Sequence, residues 1–386
     1  MSIAPYPKRI RSIAPSVGEQ EIAMVTEAVT HGWFDNMSMH LDQFVDAFSK
    51  YCEKPYCLPV SHGTAAIHLA LLAAGVEAGD EVIVPDSTWV ASASPVAYLG
   101  ATPVFVDVEA DTWCLCPKSF ENAITGKTKA VVCVDLFGSM ADYDRILPIA
   151  EKHNIVVIED AAEGIGSRYN GKPAGALGHI GVYSFNATKL IMGGQGGMLV
   201  TDNKAWFEHA RRLSHHGIDM AQSGKYYWST ELGYNYNWSN INAALALAQL
   251  RRIDELVEYK RKIHSWYQQG LKDCPYVTLN SEPENVFNCY WITCAVIDPA
   301  LALSKETMKT LFEPYNVDVR PFFYPLSAMP PFAETASQAP SRNATSYALS
   351  KTAICLPSGY DLTHAEVTYV CELLKHLLQQ HIVEKQ

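Results

Sequence analysis

No stretch of this 386-residue chain approaches the roughly eighteen consecutive apolar residues that span a bilayer. The N-terminal run Met1-Ser2-Ile3-Ala4-Pro5-Tyr6-Pro7-Lys8-Arg9 also lacks an apolar core followed by a small-residue cleavage site. Neither a membrane span nor a secretory signal is expected, and cytoplasm is the default location. Paired Cys-x-x-Cys spacing is missing: the closest of the ten cysteines are Cys52/Cys57 and Cys114/Cys116, which points to reduced structural thiols and no metal site. Positive charge is scarce, with 30 Lys and Arg against 41 Asp and Glu, and the net charge of −11 with no basic stripe argues against nucleic acid as a partner. A small anion remains admissible, because a local nest of backbone N–H groups holds a phosphate whatever the global charge. Repeats and low-complexity tracts are absent as well, which sets aside solenoid and disordered readings. What remains, at 48% hydrophobic and 18% charged residues, is a globular chain long enough for one large domain and a smaller one.

From about residue 63 helix-like and strand-like segments alternate. Residues 64–74 form a small-residue run of helical period closed by Gly75, and compact apolar segments at 81–85, 102–107, 129–135, 155–160 and 198–201 read as strands. Continuous apolar strands separated by helices predict a mostly parallel mixed sheet covered by helices on both faces, an α/β fold. Ligands of such sheets bind beyond the carboxyl ends of the strands, and Asp160 follows Ile155-Val156-Val157-Ile158-Glu159 at such an end. Residues 240–272 read as one long helix, 290–297 as a strand, 305–315 and 363–380 as helices, and the proline-rich 321–331 as a rigid loop. The division expected is a large cofactor-binding domain over 1–250, whose first 20 or so residues could pack elsewhere, and a small α+β domain over 251–386.

Chemistry concentrates in a few places. Lys189 closes Ser184-Phe185-Asn186-Ala187-Thr188-Lys189 and precedes Gly193-Gly194-Gln195-Gly196-Gly197, so a planar cofactor can approach it closely. Taken alone it could be a surface lysine before a flexible loop. Asp160 could cap the next helix or hold a pyridinium nitrogen protonated. Gly63-Thr64 opens a helix whose free N–H groups suit a phosphate, although ordinary capped helices begin the same way. Trp89, after Pro85-Asp86-Ser87-Thr88, could lie flat on a cofactor or simply pack in a core. Together a lysine, a strand-end carboxylate and a phosphate cradle are what pyridoxal phosphate requires. Gly164-Ile165-Gly166 lacks the third glycine of a dinucleotide fingerprint, and the adjacent His215-His216 lack a third ligand at helical spacing, so His215 reads as a surface or substrate contact.

In this order Ser61-His62-Gly63-Thr64-Ala65-Ala66, Gly79-Asp80-Glu81-Val82-Ile83-Val84-Pro85, Glu159-Asp160-Ala161-Ala162-Glu163, the Ser184 to Lys189 motif and Gly233-Tyr234-Asn235-Tyr236 resemble the DegT/DnrJ/EryC1 family. These are nucleotide-sugar aminotransferases of the pyridoxal-phosphate-dependent aspartate aminotransferase fold (fold type I), and the likeness runs from about residue 12 to the last helix. The resemblance implies Lys189 as Schiff-base lysine and proton shuttle, Asp160 as pyridinium partner and Trp89 as stacking ring. It implies Gly63, Thr64 and Ser184 around the phosphate, Glu163 near the phenolic edge, and Asn235 reaching the phosphate of a neighbouring subunit. A homodimer with shared active sites follows, with L-glutamate as amino donor.

Within the family, Arg320-Pro321-Phe322-Phe323-Tyr324-Pro325 looks most like the branch that aminates a GDP-linked 4-keto-6-deoxy sugar for polysaccharide or O-antigen synthesis, which makes Arg320, Phe322, Tyr324, Trp89 and His215 candidate substrate contacts. The chain departs from that branch at Asp135-Leu136-Phe137-Gly138-Ser139, Gln195, Asn237 and the loop from Asp35 to Ser38. A dTDP- or UDP-linked sugar is the alternative substrate. Related dehydratases carry His in place of the lysine, so Lys189 argues against dehydration; a non-catalytic cofactor-binding regulator is disfavoured by the intact lysine and aspartate.

Overall fold

In the computed structural model, which describes residues 3–219, 224–335 and 339–385, fourteen strands among the described residues form three sheets. In chain order they are β1 Tyr56–Val60, β2 Glu81–Pro85, β3 Thr102–Val106, β4 Thr128–Val134, β5 Val156–Asp160, β6 Arg168–Tyr169, β7 Lys172–Pro173, β8 Ile180–Ser184, β9 Gly197–Thr201, β10 Val277–Leu279, β11 Val286–Phe287, β12 Cys294–Ile297, β13 Arg320–Pro321 and β14 Ala353–Cys355. The main sheet runs β1-β9-β8-β5-β4-β2-β3, and only β9 opposes its neighbours. Buried on both faces, these strands carry little polar alternation: the last five residues of β4 and all of β9 are buried. That is why their sequences read as unbroken Val and Ile runs.

A second core forms around the four-stranded antiparallel sheet β10-β12-β14-β13, where Ile297, Phe312, Ile354 and Leu374 meet. The N-terminal segment belongs to it, because Ile10 is buried there and pairs with Val317. Among the described residues no helix is long and apolar enough to cross a membrane.

Four elements differ from the sequence expectation, each for a physical reason. The helix expected over 240–272 is two, Asn240–Leu250 and Ile253–Leu271. Arg252 leaves helical geometry at the break (φ −122°, ψ 25°), and its guanidinium binds Glu21 Oε1 at 3.0 Å and Ser16 Oγ at 2.9 Å. The strand expected over 290–297 is confined to Cys294–Ile297, because Tyr290 takes the left-handed conformation (φ 49°) with its ring stacked on His264 at 3.6 Å. Helix Lys305–Phe312 tightens to a 3-10 turn over Glu313–Tyr315, where Pro314 removes an amide donor. The proline-rich segment is more ordered than a plain loop, since it opens with β13 and continues through 3-10 turns at Leu326–Ala328 and Pro330–Thr335.

Candidate active site

Beyond the carboxyl ends of β2, β4 and β5 lies a cavity of about 590 Å³. One corner of it is built by helix Gly63–Ala73. The residue before the helix, His62, makes no side-chain cap, so the first N–H groups of the helix stay available. A Cβ on Gly63 would stand 3.0 Å from Cβ of Ser184, and one on Gly197 would stand 2.5 Å from the His62 carbonyl carbon. Both glycines let β8 and β9 close on the helix start, which brings the Thr64 and Ser184 hydroxyls to the rim of one cradle.

Asp160 ends β5, flanked by β4 and β8, and is buried. It accepts from Ser92 Oγ at 2.8 Å and from the Ala162 N–H at 3.2 Å. Burial raises its pKa above the ordinary carboxyl value, and the Ser92 hydroxyl, the Ala162 amide and the Lys189 charge only partly offset this. Two hydrogen bonds leave acceptor capacity unused in a desolvated carboxylate, so the position suits one further cationic donor, as a pyridinium N–H would be.

Lys189 Nζ lies 3.3 Å from Glu163 Oε1 and 4.2 Å from the centre of the Trp291 ring. Trp291 is held by its indole N–H, which donates to the Thr188 carbonyl at 2.9 Å, and Glu163 Oε2 accepts from the Phe137 N–H at 3.1 Å. Phe137 stacks on Phe323 with ring centres 5.5 Å apart, so the wall facing the lysine is aromatic. Trp89, 60% exposed, leans over the mouth. An amine, a buried carboxylate and an uncapped helix start around one cavity match the groups that pyridoxal phosphate requires.

Of the residues singled out from the sequence, Gly63, Thr64, Trp89, Asp160, Glu163, Ser184, Lys189, Arg320, Phe322 and Tyr324 all line this cavity. Two do not. His215 and Asn235 are exposed and pair with each other through a backbone bridge, and the His215 ring contacts Asn237 at 2.9 Å. Among the described residues no group of three His, Cys, Asp or Glu side chains is arranged to hold a metal. Ser92 and Trp291 as a lysine contact escaped sequence reasoning. Ser92 reaches Asp160 only through the 3-10 turn Val90–Ser92, and Trp291 owes its place to the left-handed residue before it.

The mouth is fastened from behind by Asp86, which follows β2 and is fully buried. Its carboxylate accepts from the Ser327 N–H at 2.7 Å, Ser327 Oγ at 2.6 Å and Asn343 Nδ2 at 2.8 Å, tying the strand end to the C-terminal segments. Asp86→Ala strands these buried donors, and we expect about 3 kcal/mol of lost stability, read as a lower urea midpoint at unchanged slope.

Comparison with known proteins agrees with this geometry. Residues 15–375 match the model of the DegT/DnrJ/EryC1/StrS aminotransferase family. The GDP-perosamine synthase of Escherichia coli O157:H7 is 36% identical over 95% of this chain and 97% of its own length. The enzyme of the same name from Vibrio cholerae is 32% identical over 94% and 97%. The crystal structure of the aminotransferase TlmJ from Streptoalloteichus hindustanus superposes with a TM-score of 0.89 at 26% identity, covering 96% of this chain and 99% of that one.

Proposed function

Because the chain belongs to the DegT/DnrJ/EryC1/StrS aminotransferase family, whose members depend on pyridoxal phosphate, we propose that it transfers an amino group from L-glutamate to a nucleotide-linked 4-keto-6-deoxy sugar. GDP-4-keto-6-deoxymannose, giving GDP-perosamine for O-antigen or other glycoconjugate synthesis, is the favoured substrate. The observation that carries this reading is the single cavity onto which Lys189, Asp160, the Gly63 helix start and residues 320–324 all open. Two full-length relatives that are GDP-perosamine synthases support the choice of sugar.

Pyridoxal phosphate, when bound, supplies an electron sink that makes the hydrogen on an amino-bearing carbon acidic. The helix start at Gly63 with the Thr64 and Ser184 hydroxyls would hold its phosphate, Asp160 would keep its ring nitrogen protonated, and Trp89 would cover one face of the ring. Lys189 Nζ would carry it in the resting enzyme. The same Nζ would take the proton from the donor's amino-bearing carbon and later deliver one to the sugar carbon that receives nitrogen. Trp291 and Glu163 confine the amine to a short arc between those two positions. The aromatic wall of Phe137, Phe322 and Phe323 would limit water on that side of the amine.

The exposed large apolar side chains Phe34 (89%), Met37, Tyr227 and Leu232 (96%) support a two-fold partner that would cover them, and Asn235 would then reach the partner's phosphate cradle. Residues 1–250, apart from the N-terminal segment that packs in the second core, would be the cofactor-binding domain and 251–386 the smaller one, acting in the cytoplasm where glutamate and nucleotide sugars occur. Phe137 and Gln195, two of the positions at which the chain departs from the GDP-perosamine branch by resemblance, line the cavity, which favours a dTDP- or UDP-linked sugar as the second reading.

The test is spectroscopic. Protein carrying pyridoxal phosphate is bleached with L-glutamate and then offered GDP-, dTDP- and UDP-linked keto sugars. Return of the aldehyde absorbance with GDP-4-keto-6-deoxymannose is the expected result, and a response confined to the other nucleotides contradicts the substrate while leaving the reaction class standing.

A further inference from the structure

Behind the loop that forms the outer wall of the cavity sits a buried ammonium. Lys305 is the first residue of helix Lys305–Phe312 and is 1% exposed. An ammonium has three N–H bonds, and here they meet three acceptors: the carbonyls of Phe322 at 2.9 Å and Phe323 at 3.4 Å, and Ser350 Oγ at 3.0 Å. The Tyr324 ring centre lies 3.3 Å from the same nitrogen. Glu306, the neighbouring acid, accepts the Tyr324 hydroxyl at 2.6 Å and so locks that ring in place. Lys305 does not itself line the cavity, whereas residues 320–324 all do.

We propose that Lys305 is a positioning residue for the acceptor sugar, holding Phe322, Phe323 and Tyr324 in the shape that receives it. This rests on the function proposed above. A neutral side chain at 305 would leave two carbonyls and a hydroxyl without donors and the Tyr324 ring without its cation. The strand β13 stays paired with β14 in either case, so the loss falls on the loop beyond it. The sugar nucleotide, the larger substrate, would extend to that outer wall and be affected most; glutamate is small enough not to need the wall and should be affected little.

Charge on Lys305 is also adjustable. Burial lowers its pKa from 10.5 to about 8, against the opposing pull of Glu306 and Cys355. The groups facing it are Glu306 from its own helix, Cys355 from β14, the Tyr324 phenol from the loop and the Ser350 hydroxyl from helix Ala344–Thr352. Losing the proton costs one donor and the attraction to the ring. The sign for the fold is opposite: between the lowered value and 10.5 the unfolded chain binds the proton that the folded chain has released, so stability from this group rises with pH. Looser sugar binding at alkaline pH is therefore separable from unfolding.

The experiment compares Lys305→Met with the unaltered, cofactor-loaded protein, measuring each half-reaction from pH 7 to about 9.5 with L-glutamate and GDP-4-keto-6-deoxymannose. At neutral pH the variant should raise KM for the sugar about tenfold, with the glutamate half-reaction changed by less than about twofold. The ratio of the two sugar KM values should then fall toward one as pH passes about 8, because the unaltered protein loses the same charge. A ratio independent of pH, or an equal loss in both half-reactions, overturns the assignment. Should the variant not fold, the unaltered protein decides alone: its sugar KM must climb through this interval, and a flat profile overturns the assignment. Failure of the underlying function shows instead as no sugar turnover in the unaltered protein, and the acceptor role of Lys305 falls with it.

Discussion

Lys189→Ala is expected to slow amino transfer by at least about 10⁴-fold while the protein stays folded. The magnitude follows from two losses at one position, the attachment point of the cofactor and the amine that moves the proton. No other lysine can take over. Lys305 is committed behind the loop, and Lys260 is buried with its ammonium donating to the Ser358 carbonyl under the Tyr360 ring. The fold survives because the Lys189 side chain contributes one ion pair, to Glu163, and a contact with the Trp291 face, and Glu163 keeps its Phe137 amide donor and opens onto the cavity. Steady-state transfer together with an unchanged thermal midpoint of the cofactor-free protein checks both halves of the statement. Residual turnover within about tenfold of the unaltered enzyme would assign the proton transfers to another group.

Asp160→Asn is expected to reduce turnover on the order of 10² to 10⁴-fold, because a neutral amide cannot keep the ring nitrogen protonated. Here the stability readout separates a chemical from a structural role. In the cofactor-free protein the Asp160 carboxyl has a folded pKa raised by burial above 3.8. Within that window the folded state binds more protons than the unfolded one, so stability from this group falls as pH rises through it. Replacing the carboxylate by an amide removes that cost. Cofactor-free Asp160→Asn should therefore be no less stable than the parent at neutral pH, while the stabilisation gained on adding pyridoxal phosphate shrinks. A variant that is destabilised without cofactor, yet as active as the parent when loaded, would assign Asp160 to packing.

Much of this site was legible because it is local in sequence. Gly63-Thr64 announces a helix start, Asp160 ends an apolar strand, and Lys189 sits beside its glycine cluster, so each carries its own pattern. The sheet was legible for the same reason, in strands apolar enough to be buried on both faces. What stayed hidden comes from afar or from backbone conformation. Trp291 reaches Lys189 only because Tyr290 turns left-handed, a state that no tyrosine pattern signals. Ser92 and the carboxylate it supports are 68 residues apart. Lys305 at a helix start reads as a solvated charge until the fold lays the 320–324 loop across it. The break at Arg252 was missed because its cause, Glu21, lies far toward the N-terminus. Asn235 joins the site by resemblance and His215 as a surface or substrate contact, and one chain alone leaves both on its surface.

The central claim is that Lys189 bears the cofactor, and mass spectrometry tests it most directly. The protein is saturated with pyridoxal phosphate, reduced with borohydride to fix any carbon–nitrogen link, digested and mapped. The added mass should fall on the peptide containing Lys189, and be lost on prior treatment with L-glutamate. Label on any other lysine, or none under saturating cofactor, would contradict it.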